Sequence, residues 1–460
     1  MRTRALDPSM PLKPESTKSR GPGVDTCWHV AALGFLAGFF VSVIISNSGF
    51  FYVGLMEEFD VNRESATWPR SVTSSLSLLS GCLVAPLQRN MSLFAIVSLG
   101  GLFAWTGVVA SAFVPNITWM TVTLGAIYGI GVGVITVTYS IILTMYFDKY
   151  RGLTSGMKYA GSSCAGLVFP KLLAYLEEKY SFRGTLLICG GIVMHVSAIG
   201  IFAKEPPWTC LKSIEEDAKN TTKKRSFEIQ NTAPNTPELH DLSNTVARKQ
   251  VKDHGPVLLL FVNPMLYIVL TLAVVGDFTG AAYVSTIVDY AVDKGLSRED
   301  AESLIIYGSC GELVGRVFLP LIADTRYVRR TTLVMASHFI WGCSMMLFPH
   351  SSLHVHIILV CLCAYLSYGC VISMRSVLMA DYIGVQWIST CYGLSGLVLL
   401  PLTFCSPSII GFFRDSRESY DGLYRLHGGI QLVVAALILG VVCVERRHTN
   451  AWTMSRSRQE

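Results

Sequence analysis

The chain has 460 residues, of which 51% are hydrophobic and 15% charged, and its formal net charge is +5. The apolar residues form long blocks that a soluble domain of this length would not need, which excludes an ordinary soluble protein. The basic runs lie beside these blocks without a soluble fold of their own, so they do not indicate nucleic-acid binding. The composition predicts an all-α polytopic membrane protein.

Windows of about 20 mainly apolar residues predict twelve transmembrane helices. They lie near 28–53, 66–87, 91–113, 118–146, 152–175, 184–204, 257–289, 301–323, 330–349, 354–380, 387–412 and 423–444. The first six form a predicted bundle over 28–204 and the last six a second over 257–444. The polar stretch 205–256 is typical of a flexible linker, and 1–27 and 445–460 are predicted tails.

Lysine and arginine residues predict the orientation. They occur in the tail 1–27, in the 4–5 turn (Lys149, Arg151) and in the 8–9 turn (Arg329, Arg330). With twelve spans, all of these segments lie on one side of the membrane. The positive-inside rule then places both termini in the cytoplasm.

The fifth predicted helix has two distinct faces. On a helical wheel, one sector is polar and contains Arg151, Ser155, Lys158 and Ser162, while a separate sector is small and contains Gly152, Gly156 and Ala160. The small face lets a neighbouring helix approach closely. A lysine about two turns inside a bilayer is costly unless it faces water or a partner, so Lys158 is expected to face a hydrated cavity. The alternative is a lysine that extends to the cytoplasmic interface.

The eighth predicted helix carries Glu312 and Arg316 at i,i+4 spacing, which puts both side chains on one face. Such a pair can neutralise itself in hydrocarbon. Intramembrane charges are usually functional, although a purely structural ion pair between helices is the alternative. Arg375 in helix ten and Asp277 in helix seven are further intramembrane charges that could line a pathway.

Two halves of six helices joined by a long cytoplasmic linker suggest the major facilitator architecture. The segment YFDKYRGLTSGMKYAG at 146–161 resembles the fifth-helix signature of the monocarboxylate transporter family. The segments SFRGTLLICGG at 181–191, YAVDKGLSREDAESLIIYGSCGELVGR at 290–316 and RSVLMADYIGV at 375–385 resemble that family as well. The resemblance covers nearly the whole membrane region and is weak for the substrate.

The resemblance implies roles for several residues. Arg316 would bind the substrate carboxylate, since a guanidinium offers it a bidentate fork, and Glu312 would take part in proton coupling. Where lactate-type members have a lysine in the first helix, this chain has Ser46, which puts proton-coupled lactate transport in doubt. Lys158 could supply the missing cation, and Arg375 is a further candidate for substrate binding.

The loop at 324–330 resembles the acid-and-basic loop of the major facilitator fold. An acid at a helix end and arginines across the turn can bridge neighbouring helices and hold the cytoplasmic side closed. The predicted cytoplasmic gate contains Lys149, Arg151, Asp324, Arg329 and Arg330. The equivalent turn of the first half, Gln88 to Asn90, is short and degenerate.

The sequence therefore predicts a plasma-membrane secondary transporter that moves a small organic monocarboxylate with a proton. One alternative is a facilitative transporter of an amphipathic substrate such as an aromatic amino acid, and another is a transport-incompetent sensor or scaffold. An enzyme is not indicated, because no nucleophile, base or metal set is clustered, and neither a cofactor nor a metal site is predicted. The expected partners are the anion, the proton and the lipid bilayer, with no nucleic acid; a single-span accessory glycoprotein is left open.

Overall fold

The computed structural model describes residues 24–61, 63–203, 206, 257–325, 327–351, 353–416 and 419–456. No strand occurs among these residues, and helices dominate. In chain order the α-helices are α1 (Trp28–Val41), α2 (Val43–Ser46), α3 (Ser48–Phe59), α4 (Arg63–Asn90), α5 (Leu93–Ser111), α6 (Ile117–Met120), α7 (Tyr128–Tyr146), α8 (Arg151–Gly200), α9 (Val257–Val262), α10 (Pro264–Asp293), α11 (Arg298–Asp324), α12 (Arg330–Leu347), α13 (His354–Tyr382), α14 (Ile388–Gly411) and α15 (Asp421–Arg456).

Short segments of other helix types join some of these helices. Thr121–Ile127 and Phe412–Ser416 are π-helical, and Phe348–His350 and Val385–Trp387 are 3₁₀ turns. Most of the predicted tail 1–27 and of the predicted linker 205–256 lies outside the described residues. The last helix, α15, continues into the predicted carboxyl-terminal tail, as far as Arg456.

Nine helices in the described part of the chain are long and apolar enough to cross a membrane. One of these, α8, covers two predicted spans. The first two predicted spans fall below the criterion, because α1 to α3 are short pieces and α4 carries Arg70 among many serines. The observed helices are consistent with twelve spans, and the first predicted span is interrupted at Ser42 and Asn47.

The break inside α8 separates the fifth and sixth spans. A straight helix of 50 residues would be about 75 Å long, more than twice the hydrocarbon core of a bilayer. At Ser181 the backbone leaves the helical region, with φ 62° and ψ 172°. A serine in this left-handed region is strained, and the interruption lets the chain change direction between two bilayer-length segments.

Packing of the helices places α8 next to both parts of the molecule. Within the first half, α1 and α5 pack on α8, and α4 packs on α7. Within the second half, α11 packs on α13, and α12 on α15. Contacts between the halves join α4 with α14 and α8 with α11. The largest hydrophobic core lies in the first half and includes Met379, Ile388 and Tyr392 of the second.

The outer surface of the helices is apolar. Large side chains such as Val168, Met194, Phe318 and Leu437 are more than half exposed. A soluble protein rarely exposes so much contiguous apolar area, whereas lipid tails cover such a surface without cost. Several charged side chains in the middle of the helices point inward, and these define the candidate site.

Candidate functional site

An ion pair on α11 forms one side of the site. Arg316 Nη2 lies 2.5 Å from Glu312 Oε1, as the i,i+4 spacing predicts. The Arg316 Nη1 group donates to the Tyr159 carbonyl oxygen at 2.6 Å and to Ser163 Oγ at 2.7 Å. Ser163 Oγ donates in turn to Glu312 Oε2 at 3.4 Å. The pair is thus formed, and it is held by α8 from the opposite half of the molecule.

Lys158 on α8 is enclosed by neutral groups. Its Nζ donates to Ser140 Oγ at 2.5 Å and to the Thr136 carbonyl oxygen at 3.3 Å, and it lies 4.0 Å from the centre of the Tyr159 ring. The residue is only 4% exposed. The expectation of a hydrated cavity around Lys158 is therefore wrong for this conformation, because α7 and Tyr159 cover the ammonium. The side chain does not extend to the helix end either.

A second ion pair joins α10 and α13. Arg375 Nη1 is bonded to Asp277 Oδ2, and both side chains are largely buried. The Arg375 guanidinium carbon lies 5.4 Å from the centre of the Tyr392 ring on α14. Arg375 thus turns into the protein, and Asp277, which the sequence left ambiguous, is its partner.

Two tyrosines bring these charges together across the two halves. The hydroxyls of Tyr159 and Tyr392 are 3.3 Å apart, and Tyr392 Oη is 3.4 Å from Ser140 Oγ. Arg316 also faces Tyr159, with its guanidinium carbon 5.8 Å from the ring centre. Aromatic faces attract cations, so the two rings form a wall that tolerates all three positive groups. We name as the central cluster the residues Lys158, Tyr159, Asp277, Glu312, Arg316, Arg375 and Tyr392.

The central cluster has an excess of positive charge. It contains three cations, with Lys158 counted as charged, and two carboxylates, which leaves a formal charge of +1. Both carboxylates are bonded to arginines, so the uncompensated charge is that of Lys158. In addition, Nε of Arg316 and Nε of Arg375 are buried without a hydrogen-bond partner among the described residues. An unbalanced buried charge with spare donors favours the binding of an anion.

Glycines allow α11 to approach its neighbours closely at the site. A Cβ placed on Gly156 of α8 would lie 1.8 Å from the Arg316 carbonyl oxygen, and one on Gly369 of α13 would lie 2.4 Å from the Glu312 carbonyl oxygen. No side chain fits at either distance. The predicted small face of α8 therefore packs against α11 and fixes the backbone that carries Glu312 and Arg316.

Ser46 lies in another part of the first half from the charges of the cluster. Its Oγ donates to the Ser162 carbonyl oxygen at 3.0 Å and is 3.0 Å from Ser162 Oγ. Ser162 is one helical turn beyond Lys158 in α8. Ser46 is thus next to the helix that carries Lys158, and in these bonds it contacts Ser162 and no charged residue of the central cluster.

A network of ion pairs closes one end of the molecule. Asp381 at the end of α13 binds Arg151 of α8 and Arg330 of α12, each at 2.9 Å. Arg330 also binds Asp324 at 2.9 Å. Asp324 accepts hydrogen bonds from the backbone N–H groups of Gly152 and Leu153, at the start of α8. We name Arg151, Asp324, Arg330 and Asp381 the gate network; it joins the two halves.

Two members of the predicted gate have other contacts. The Lys149 ammonium lies 4.8 Å from the centre of the Tyr150 ring, and the Lys149 carbonyl oxygen accepts from Arg330 at 3.1 Å. Arg329 is the residue before the first turn of α12. In the first half, Gln88 Oε1 accepts from Ser389 Oγ at 2.8 Å, so the degenerate turn contributes a neutral link to α14.

Sequence reasoning missed Tyr159, Tyr392 and Ser140 of the site and Asp381 of the gate network. Asp381 had a usable signal, because it is an acid at the end of an apolar helix whose sequence carries the family resemblance. The tyrosines had none, since their importance comes from contacts between residues more than 200 positions apart.

Comparisons with known proteins agree with this architecture. The sequence model of the Major Facilitator Superfamily matches residues 34–402. Monocarboxylate transporter 12 of Mus musculus is 23% identical over 432 residues, which cover 91% of this chain and 86% of the relative. Monocarboxylate transporter 4 of Gallus gallus is 24% identical over 408 residues, covering 86% and 79%. The resemblance found in the sequence is thereby confirmed, and the chain is a divergent relative of these transporters.

Solved structures share the fold. The proton:xylose symporter XylE, bound to 6-bromo-6-deoxy-D-glucose, superposes with a TM-score of 0.64 at 13% identity, covering 90% of this chain and 94% of that chain. FucP in the outward conformation superposes with a TM-score of 0.61 at 14% identity, covering 89% and 98%. At these identities the match concerns the fold alone.

Proposed function

Because the chain belongs to the Major Facilitator Superfamily, we propose that it moves a small organic monocarboxylate, together with a proton, across the plasma membrane by alternating access. The observation that carries the proposal is the formal charge of +1 in the central cluster. This excess positive charge would attract a monovalent anion. The relatives named monocarboxylate transporters support the same substrate class.

Lys158 and Arg316 are the proposed substrate-binding cations. Both lie against the Tyr159 ring, at 4.0 Å for the Lys158 Nζ and 5.8 Å for the Arg316 guanidinium carbon. Among the described residues, Lys158 donates hydrogen bonds only to neutral oxygen atoms. A bound carboxylate would therefore be attracted by a positive charge that no other carboxylate neutralises. Arg316 is bonded to Glu312 and would need release from that partner before it could offer both edges of its fork.

Glu312 is the proposed proton carrier. A proton on Glu312 removes the negative charge that holds Arg316, and the arginine can then bind the substrate carboxylate. Proton and anion are thus expected to load together, because each makes the other's binding more favourable. A proton and a monovalent anion together carry no net charge, so the loaded and the empty carrier have the same net charge. Neither the loaded nor the empty transition then moves more charge across the membrane than the other.

The orientation follows from the gate network. Its arginines lie in the two turns that the positive-inside rule assigns to the cytoplasm, so we place the closed end there, with both termini cytoplasmic. With that end closed, the substrate would enter from outside, as in an outward-facing carrier. A single-span accessory glycoprotein is a further proposed partner, and the proposal for it does not rest on a feature of the described residues.

A second candidate function is the facilitated transport of an aromatic amino acid. Two features favour it, namely the two tyrosine rings beside the charges and the carboxylates Glu312 and Asp277, which could bind an ammonium group. This candidate differs from the first in needing no proton. In this second candidate, the substrate must carry a charged amino group, because that group binds Glu312 or Asp277.

Purified protein in proteoliposomes would separate the two candidates. Uptake of radiolabelled short monocarboxylates, their uncharged amides and aromatic amino acids should be measured with and without an inward pH gradient. We expect accumulation of the acids driven by the gradient, no uptake of the amides, and loss of gradient-driven accumulation in Glu312→Gln. Uptake confined to amino acids and indifferent to the gradient would favour the facilitator. No uptake above that of protein-free liposomes would contradict both.

A further inference from the structure

A further intramembrane cation lies outside the central cluster. Arg70 is two turns into α4, about 10 Å from its start, and its side chain is exposed. No carboxylate of the described residues pairs with it. A charged arginine at this depth is costly unless it faces water, so Arg70 must point into an aqueous opening instead of lipid.

Arg70 lies at the end of the molecule opposite the gate network. The other end of α4 is marked by Gln88, which bonds Ser389 at the start of α14, shortly after Asp381. Eighteen residues separate Gln88 from Arg70, which corresponds to roughly 27 Å along the helix. With the gate network placed in the cytoplasm, Arg70 therefore faces the extracellular side.

The arginine lines a cavity of about 80 Å³. The cavity is formed by α2, α3, α4 and Leu124 of the π-helical segment, and its lining combines apolar residues with Ser48, Tyr52, Thr73 and Ser74. Ser74 is exposed and lies one turn beyond Arg70 in α4, on the same face. The cavity thus offers a cation, several hydrogen-bonding groups and a wall of low polarity.

We propose that Arg70 forms an outer anion-binding subsite, in which a carboxylate from the extracellular side is held before it passes to Lys158 and Arg316. This inference rests on the proposed function for the identity of the anion. The physical reason is field focusing: a cation that pairs with no carboxylate of the described residues, in a cleft with walls of low polarity, raises the local concentration of anions. The hydroxyls of Ser48 and Ser74 would supply hydrogen bonds to a captured carboxylate.

The first test measures transport. In Arg70→Gln we expect the KM for extracellular carboxylate to rise roughly fivefold, with a smaller change in maximal rate, and the dependence of KM on ionic strength to weaken. Arg70→Lys should retain most of the wild-type KM, because it keeps the charge. Lys179→Gln is the matched control, since it removes an exposed positive charge from α8 outside the cavity and should leave KM unchanged. An unchanged KM in Arg70→Gln, with carboxylate uptake intact, would overturn the subsite and leave the proposed function standing.

The second test does not depend on transport. Ser74→Cys, in a background without other reactive cysteines, is labelled from outside with anionic sulfonatoethyl methanethiosulfonate and with the cationic trimethylammonioethyl reagent. Arg70 should favour the anionic reagent, and adding Arg70→Gln should lower the ratio of the two rates several-fold. The same ratio with and without Arg70 would show that this cavity does not concentrate anions. If the ratio falls although no carboxylate is transported, the proposed function fails while the anion subsite stands.

Discussion

At the level of single residues, the chemistry of this protein depends on how three cations are partnered. Arg316 and Arg375 each bind a carboxylate, whereas Lys158 binds only hydroxyl and carbonyl oxygens. Ion pairs inside a protein cost little net energy when both partners are present, and breaking one leaves a costly lone charge. The three residues are therefore expected to respond differently to substitution.

The geometry of the guanidinium should matter at Arg316. In Arg316→Lys the charge remains, but the fork that reaches Tyr159, Ser163 and Glu312 is lost. We expect carboxylate uptake per transporter to fall roughly tenfold or more, with normal surface expression. Uptake kinetics normalised to the surface pool check this. Kinetics equal to those of the wild type would remove Arg316 from the binding site.

The charge of Lys158 should be needed for anion binding. We expect Lys158→Ala to reduce anion uptake strongly, since the cluster then has no net positive charge. Adding Ser46→Lys should restore part of the uptake, because position 46 contacts Ser162, one turn along the same helix. Counterflow with radiolabelled substrate provides the measurement. Normal uptake by Lys158→Ala would show the lysine to be structural, and a lack of rescue would show that position 46 cannot replace it.

At the level of helices, the site depends on how closely α11 approaches α8 and α13. Gly156 brings the backbone of α8, from the first half, next to that of α11, and Gly369 does the same for α13 within the second half. The i,i+4 pair is a local feature that any regular helix would form, so it was predictable from spacing alone. The spacing did not predict which helix packs against this pair, because the small face of α8 could fit many different helices.

Substitution of Gly156 should therefore separate α8 from α11. In Gly156→Ala the new methyl would overlap the Arg316 carbonyl oxygen, because it would lie only 1.8 Å from that atom. We expect destabilisation on the order of 1–3 kcal/mol, a lower midpoint of thermal unfolding and impaired transport. Gly191→Ala is the control on the same helix, as nothing lies within 4 Å of its Cβ position. Equal melting temperatures for the two variants would contradict the close packing.

At the level of the whole molecule, contacts between α8 and α13 occur in successive layers. Arg151 binds Asp381, and Ser155 Oγ donates to the Ser373 carbonyl oxygen at 2.7 Å and lies 3.0 Å from Ser376 Oγ. The next contact along α8 is that of Tyr159 with Tyr392 of α14. Alternating access would require all of these contacts to separate together, so the gate network should set the balance between the two open states.

Removal of one gate charge should shift that balance. Asp381→Asn weakens the ion pairs of Asp381 with Arg151 and Arg330, which join different helices. Asp148→Asn is the control, because it weakens a local ion pair with Arg151, three residues further along the chain, at 3.4 Å. Because these side chains are partly exposed, we expect a shift of only about 1 kcal/mol, or roughly fivefold in population. A cysteine at the buried Ser376 should then be labelled faster from the cytoplasmic side in Asp381→Asn than in Asp148→Asn. Equal rates would show that Asp381 does not hold the gate closed.

The sequence by itself determined the membrane class, the helical fold and the ion pair of Glu312 with Arg316. These features follow from hydropathy over bilayer length, from helical periodicity and from the cost of charge in hydrocarbon, all of which act locally along the chain. Only the tertiary structure decided which groups surround Lys158, that Asp277 binds Arg375, that Asp381 joins the gate network and that Arg70 faces a cavity. The reason is that these contacts link residues far apart in the chain, and their geometry depends on how the two halves pack together.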